Sequence, residues 1–390
     1  MRKLIAKILA LALVLALISP SQIFAQTVAK SIDVVQTINI EISSEGTFVF
    51  QGTPRDNVGK PKDGSNTEVY VFDLRLEKIL ENNGKVVVRF KGGNGNGLSK
   101  NVKTYANANA VTDPTFNGEL ELAKITDLYY QQSCLDNKLI ISFGKLDFAS
   151  NFTGNRYSKD KNAQFITSIF NGDKIIEAPA QRVALNLSCA LSNIFDLSYG
   201  YYTTKTDHID SDGVNALQLT YKPSKKGNYK LYVWSNNTLH YSCNDLSKKS
   251  GTYGFGISAD HEVSKLLGVF GRFSWKDPSV TTYDTKNNKY MVTPTSSWDL
   301  GLQIQGSVWS RGNDTVGFAV GQMYGPHDYS NISATYKNGA ETEFEFYYRI
   351  GVNKHLGITP AVQYFINPSG GNAGLKHNVF VAGIRTRFDF

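Results

Sequence analysis

Between residues 341 and 350 the chain alternates with period two. Glu341, Glu343, Glu345, Tyr347 and Arg349 share one face of an extended segment, and Phe344, Phe346, Tyr348 and Ile350 share the other. Carboxylates and a guanidinium on one surface offer strong acceptors and donors together, which is what replaces water around a polyhydroxylated solute. They do not form a catalytic constellation. The six histidines, His208, His240, His261, His327, His355 and His377, stand in no triad, HExxH or metal-ligand spacing, so no catalytic residue, metal or cofactor is expected. The Asp210-Ser211-Asp212-Gly213 turn lacks the later Glu of a calcium loop. The glycine-rich run 92–97 lacks the Lys-Ser/Thr and helix of a phosphate loop, and reads as outer-loop chain.

The same two-faced pattern recurs along the chain and asks for strands. Asp73, Arg75 and Glu77 oppose Phe72, Leu74 and Leu76, while Lys85, Arg89 and Lys91 oppose Val86, Val88 and Phe90. Glu119 and Glu121 oppose Leu120 and Leu122; Arg182, Asn186 and Ser188 oppose Val183, Leu185 and Leu187; Asp299, Gln303 and Gln305 oppose Leu300, Leu302 and Ile304. A charge facing hydrocarbon costs up to about 4 kcal/mol at mid-bilayer, so the polar faces are expected to share an interior and the apolar faces to meet lipid. The last strand obeys the rule, with Phe380, Ile384 and Phe388 against Arg385, Arg387 and Asp389. Phe390 ends it as the aromatic signal of outer-membrane barrels does, so its expected role is assembly and an expected partner is the barrel-assembly machinery.

Sixteen strands are expected, at 46–52, 68–80, 85–91, 118–131, 138–148, 182–191, 195–206, 214–222, 229–235, 252–260, 266–276, 298–307, 315–324, 341–352, 356–366 and 378–390. Short links alternate with long ones, and counting back from Phe390 puts every short link on the periplasmic side. The fold class is therefore an all-β, transmembrane antiparallel β-barrel with short periplasmic turns and long extracellular loops. Ahead of it, basic Arg2, Lys3 and Lys7, an apolar run and Ala25 make residues 1–25 a secretory signal peptide. Residues 26–45 form a short periplasmic segment and 46–390 the barrel. Losing the three leader cations lowers the net charge from +7 to +4, with no basic block interleaved with stacking aromatics, which excludes nucleic acid. Cys134, Cys189 and Cys243 allow one disulfide with a leftover thiol, or three free thiols.

Several segments resemble the carbohydrate-selective porins of the OprB type. They are Gly144-Lys145-Leu146-Asp147, then Asn155 with Tyr157 and Gln164-Phe165, then Trp309 with Arg311 and Asp314-Thr315-Val316-Gly317. Glu341 to Arg349 follow, with Leu356, Thr359-Pro360, Gln363-Tyr364, Asn367-Pro368 and Arg385. The resemblance runs over 139–390 and implies a sixteen-stranded outer-membrane barrel that passes sugars down a gradient. It places Lys145, Asp147, Glu343, Glu345 and Arg349 in family motifs. In such barrels the third outer loop, here 149–181 with Arg156, folds inward, and 163–170 is a candidate short helix. Candidate pore-lining residues are thus Asp73, Arg75, Arg89, Glu119, Glu121, Lys145, Asp147, Arg156, Arg182, Glu343, Glu345, Arg349, Arg385 and Arg387. Expected partners are sugars or other small polar solutes and outer-membrane lipid, with monomer and homo-oligomer both open. A general porin and a non-conducting structural or adhesive barrel remain the alternatives.

Overall fold

The computed structural model describes residues 40–390 apart from 59–62, 112–120, 180, 205–211, 286 and 373–376. Alternation builds its wall. In β1 (Ile40–Arg55), Thr47, Val49 and Gln51 are buried while Phe48 and Phe50 stay exposed. The same phase runs through β2 (Asp63–Ile79), β3 (Gly84–Asn94), β4 (Glu121–Cys134), β5 (Leu139–Leu146), β6 (Arg182–Ala190), β7 (Phe195–Thr203) and β8 (Gly213–Ser224). It continues through β9 (Gly227–Ser242), β10 (Lys249–Ser264) and β11 (Leu267–Lys276). After the two-residue strands β12 (Val280–Thr281), β13 (Tyr283–Asp284) and β14 (Lys289–Tyr290) come β15 (Ser296–Gln305), β16 (Thr315–Tyr324), β17 (Ala340–Gly351), β18 (Leu356–Ile366) and β19 (Val379–Asp389).

One sheet of 17 strands results, sixteen of them long; the seventeenth, β12, adds a two-residue patch to the top of β9. The long strands pair antiparallel with their chain neighbours, and β1 closes on β19 from Glu45↔Asp389 to Gly52↔Ala382. Closure leaves the sheet no edge, the condition for strands to cross hydrocarbon. Exposure is inverted relative to a water-soluble protein: Leu217, Leu231, Val233, Phe255 and Leu300 are exposed outside, whereas Asp73, Asp260, Arg272, Asp299 and Arg385 are buried within. Among the described residues helices are single turns, and none is long and apolar enough to span a membrane.

The structure departs from the sequence expectation at strand ends. β1 begins at Ile40 rather than 46, so Glu45, expected in the preceding segment, is a wall residue paired with Asp73 and Asp389. Stretches expected as loops continue the ladder, to Arg55↔Asp63 between β1 and β2 and to Lys249↔Tyr241 between β9 and β10. Antiparallel pairing satisfies backbone groups whatever the side chains, so polar sequence does not stop a hairpin. At about 3.3 Å per residue these long strands overshoot a hydrocarbon layer of roughly 30 Å. All three cysteines are free: Cys134 and Cys189 flank Leu139 from opposite neighbouring strands, too far apart to bridge.

β5 contains one backbone position that only glycine occupies without strain. Gly144 has φ +137°, and a Cβ there would lie 2.4 Å from the Leu128 carbonyl and 2.7 Å from Tyr129 Cα. Gly144→Ala is therefore expected to destabilise the barrel by about 1–3 kcal/mol. A denaturant midpoint in detergent equal to that of the parent would contradict this.

Candidate functional site

The loop between β5 and β6 is apolar where an exposed loop should not be. Phe148, Phe152, Phe165, Ile166, Ile169 and Phe170 are each at most 2 % exposed, because the loop turns into the barrel and packs on its wall. Phe165 meets Phe270 and Tyr347 edge-on, while Phe148 and Phe152 stack together against Tyr202. Gly268 makes room for the Tyr157 ring, which a Cβ would approach to 2.1 Å. The inside of the barrel thus carries two apolar clusters that strand alternation alone does not announce.

Polar anchors tie the same loop to both sides of the barrel. On β17, Glu345 accepts the backbone N–H of Ile166 at 2.6 Å and of Thr167 at 2.7 Å, holding extended a stretch expected to be helical; only Ser168–Asn171 forms a 3-10 turn. On β19, Arg385 donates to the Lys161 carbonyl at 2.8 Å, and Arg387 pairs with Asp160 at 2.7 Å and with Glu45 at 3.0 Å. Across the lumen, Tyr232 and Ser274 donate to Asp173 at 2.7 and 2.6 Å, and Lys230 donates to the Gly154 carbonyl. Arg272, itself paired with Asp299 at 3.2 Å, donates to the Phe170 carbonyl at 3.1 Å. Charge-assisted bonds of this kind contribute about 1.5–3 kcal/mol each, so the loop is fixed rather than draped. The segment after β3 is held in the same way: Glu341 accepts the N–H of Tyr105 at 2.9 Å and of Ser369 at 2.5 Å.

These insertions pack on the β11–β19 wall and on the outer ends of β6 to β9, and three polar cavities remain among the described residues. The outer one, about 420 Å³, is lined by Tyr105, Lys174, Glu177, Lys276 and Thr293 among others. The middle one, about 920 Å³, is walled by residues of β3 and of β7 to β10, including Arg89, Lys91, Ser198, Gln218, Asn228 and Lys230. The inner one, about 330 Å³, holds Ser44, Glu45, Asp73, Arg75, Arg89, Arg387 and Phe390. Lys174 lines both the outer and the middle cavity, and Glu45 and Arg89 line both the middle and the inner. At that inner junction, Arg89 pairs with Asp73 at 2.6 Å, and Arg75 with Glu77 at 2.8 Å.

The candidates from sequence sort by this geometry. Asp73, Arg75, Arg89 and Arg387 line the inner cavity, Asp147 and Arg156 the middle one. Glu343, Glu345 and Arg385 point inward but line none of the three; each is at most 1 % exposed, since the inserted loops cover that wall. No N–H or hydroxyl donor reaches the Glu343 carboxyl oxygens, and the group within hydrogen-bond reach is the Glu341 carboxyl. Lys145 corrects its expectation: it pairs in register with Leu128, on the outer phase, and its ammonium donates to the Ile125 carbonyl at 2.6 Å. Family motif adjacency had carried it inward with Asp147, while the pleat turns it out. Arg182 donates to the Thr204 carbonyl at 3.2 Å, and Arg349 reaches the Asn313 carbonyl at 3.5 Å near a turn; neither lines these cavities. Glu121 pairs with Gly93, and Glu119, like residues 1–39, lies outside the described residues. Sequence reasoning did not select Glu45, Lys174, Lys230, Asp260 or Arg272. For Lys230 and Arg272 the signal was there, since each alternates with outward Leu231 or Phe273.

The family model of the carbohydrate-selective porins, OprB family, matches residues 68–390. The high-pH structure of Pseudomonas putida OprB is similar with a TM-score of 0.77 at 15 % identity, covering 93 % of this chain and 97 % of that one. The outer-membrane channel DcaP of Acinetobacter baumannii gives 0.55 at 13 %, over 90 % and 97 % of the two chains. No curated protein matches by sequence. At such identities the solved structures establish the fold, and the family model adds the class. The chain belongs to the OprB family of carbohydrate-selective porins, and is an outer-membrane diffusion channel rather than an enzyme.

Proposed function

We propose that carbohydrate crosses the barrel through the outer, middle and inner cavities in turn, along the β3–β10 side. The observation that carries this is the sharing of Lys174 by the first two cavities and of Glu45 and Arg89 by the last two. In this reading Asp147 and Arg156 meet solute in the middle, while Asp73, Arg75, Arg89 and Arg387 meet it at the exit. Interleaved carboxylates and guanidinium groups exchange hydrogen bonds with hydroxyls in both senses, so a sugar sheds water without a large penalty. Further parts of the proposal are export by the 1–25 leader, contact of the outer face with lipid, and recognition of Phe390 by the assembly machinery. The Phe390 side chain is 74 % exposed, while its N–H bonds the Ser44 carbonyl at 2.9 Å. Assembly as a homo-oligomer is open to the same purified protein.

Planar-bilayer recording tests the route: sugars are expected to lower the ionic conductance in a concentration-dependent way. An absence of conductance would overturn the channel route, and conductance indifferent to every sugar would leave a general porin. Two of the three buried glutamates of β17, Glu345 and Glu343, separate anchoring from mere burial. Glu345→Gln loses the charge that holds Ile166 and Thr167, at a cost of about 1–3 kcal/mol, and is expected to make residues 149–181 protease-sensitive. Glu343→Gln removes a buried charge that faces the Glu341 carboxyl and no cation or N–H donor, and is expected to be neutral or stabilising. Equal protease sensitivity of the two variants would refute the anchoring role.

The outer end of the loop is pinned through Glu177, which accepts from Lys276 and His240 at 2.9 Å and from Asn236 at 2.8 Å. Burial pushes the Glu177 carboxyl up, but the His240 hydrogen bond and the Lys276 charge outweigh it and hold it at about 2. A carboxyl depressed on folding stabilises above its unfolded value, near 4.3, and loses that contribution as pH falls through its folded value. The conductance attributable to the Glu177 carboxylate is therefore expected to be flat from about pH 6 to about 5 and to change between about 4 and 2, while above neutrality the pin also loses the His240 cation. In Glu177→Gln that acid transition should disappear; its persistence would assign the transition elsewhere.

A further inference from the structure

Thirteen charged side chains line the middle cavity, eight cationic and five carboxylates. The carboxylates are already engaged. Asp260 faces Arg156 at 3.7 Å and accepts from Asn228 at 2.8 Å, and Asp196 pairs with Lys222. Glu45 and Asp160 are both taken by Arg387 of the inner cavity, while Asp73 and Asp389 of that cavity engage Arg89, Lys91 and Arg387 in turn. Asp147 also has its own interaction. Two ammonium groups are in the reverse position: Lys159 and Lys174, both on the inserted loop, have no ion-pair or hydrogen-bond acceptor for their side chains among the described residues. Lys174 stands at the threshold between outer and middle cavities, where a permeating solute has to pass it.

Resting on the route proposed above, we infer that the middle cavity favours carbohydrates bearing a carboxylate, sugar acids such as uronates and aldonates, over neutral sugars of the same size. The positive excess and the free ammonium groups supply the anion-binding half of such a site. Thr153, Asn155, Ser198, Gln218, Thr220 and Asn228 supply neutral donors and acceptors for the hydroxyls. A cleft with one excess sign of charge and low-dielectric walls concentrates the opposite charge, and pores do so at close quarters. Lys174 is exposed to the lumen, so an arriving anion can reach its ammonium directly.

The test uses the full-length protein reconstituted in liposomes and in planar bilayers. Swelling is compared for sodium glucuronate and glucose, and the reversal potential is measured across a potassium chloride gradient. The parent is expected to favour chloride and to pass glucuronate at least as fast as glucose. In Lys159→Glu/Lys174→Glu the glucuronate-to-glucose flux ratio is expected to fall by roughly tenfold, the lower end of what charge focusing achieves. Lys159→Gln/Lys174→Gln should fall in between; it breaks no ion pair described here, so its folding is not at risk. A parent that favours potassium, or a flux ratio unmoved in both double variants, would overturn the inference while leaving the channel intact. A parent with no conductance would instead strike at the route itself.

Discussion

Hydrocarbon offers no hydrogen-bond partner to a backbone N–H or C=O, and a chain without a long apolar helix crosses it only by closing a sheet on itself. Everything else in this protein follows from meeting that condition between β1 and β19. Once closed, sixteen long strands enclose more space than their own side chains fill, because interior width grows with strand number. The surplus is taken up by chain from the loops, and the loop core of Phe165, Ile166, Phe170 and their neighbours is a small globular interior built inside a membrane wall. The channel is what that interior leaves over.

Filling the lumen with loop imposes a second requirement, that inserted backbone be satisfied by the wall. Buried Glu341 and Glu345 act as acceptors for loop N–H groups, and Arg272 and Arg385 act as donors for loop carbonyls. These ions therefore sit on the wall without belonging to the path. Charges that do line the path pair across strands instead, as Arg89 does with Asp73. Both uses look identical in sequence, since each needs only a charged residue on the inward phase.

That is where legibility ends. Strand count, closure parity and the facing of Glu341 to Arg349 could be read from alternation, because a charge on the lipid face is too costly to be ignored. Hairpin tops such as Lys249↔Tyr241 could not, because pairing there is decided by backbone geometry rather than by burial. Phe270, Met323 and Tyr347 point into a space that alternation marks as wet, and only the path of a distant loop makes it dry. Lys174 is the extreme case: nothing near it in sequence distinguishes it from Lys159 or Lys161, and its place at a cavity junction depends on contacts with β9 and β11.

One of the two tall hairpins has a bearing on what reaches the mouth at all. β1 and β2 have 16 and 17 residues, β9 and β10 have 16 each, and six staves separate one pair from the other on either side. Their neighbours stop short, at 11 residues in β3 and 10 in β11. The surplus of β1 over β19 lies below Glu45, at the periplasmic end, whereas the β9–β10 hairpin rises beyond β8 and β11 at the outer end and is buttressed there by β12 and by Lys249 over the Tyr241 ring at 4.2 Å. An object settling on the outer face therefore meets the β9–β10 hairpin before it meets the strand ends of β8 and β11 on either side.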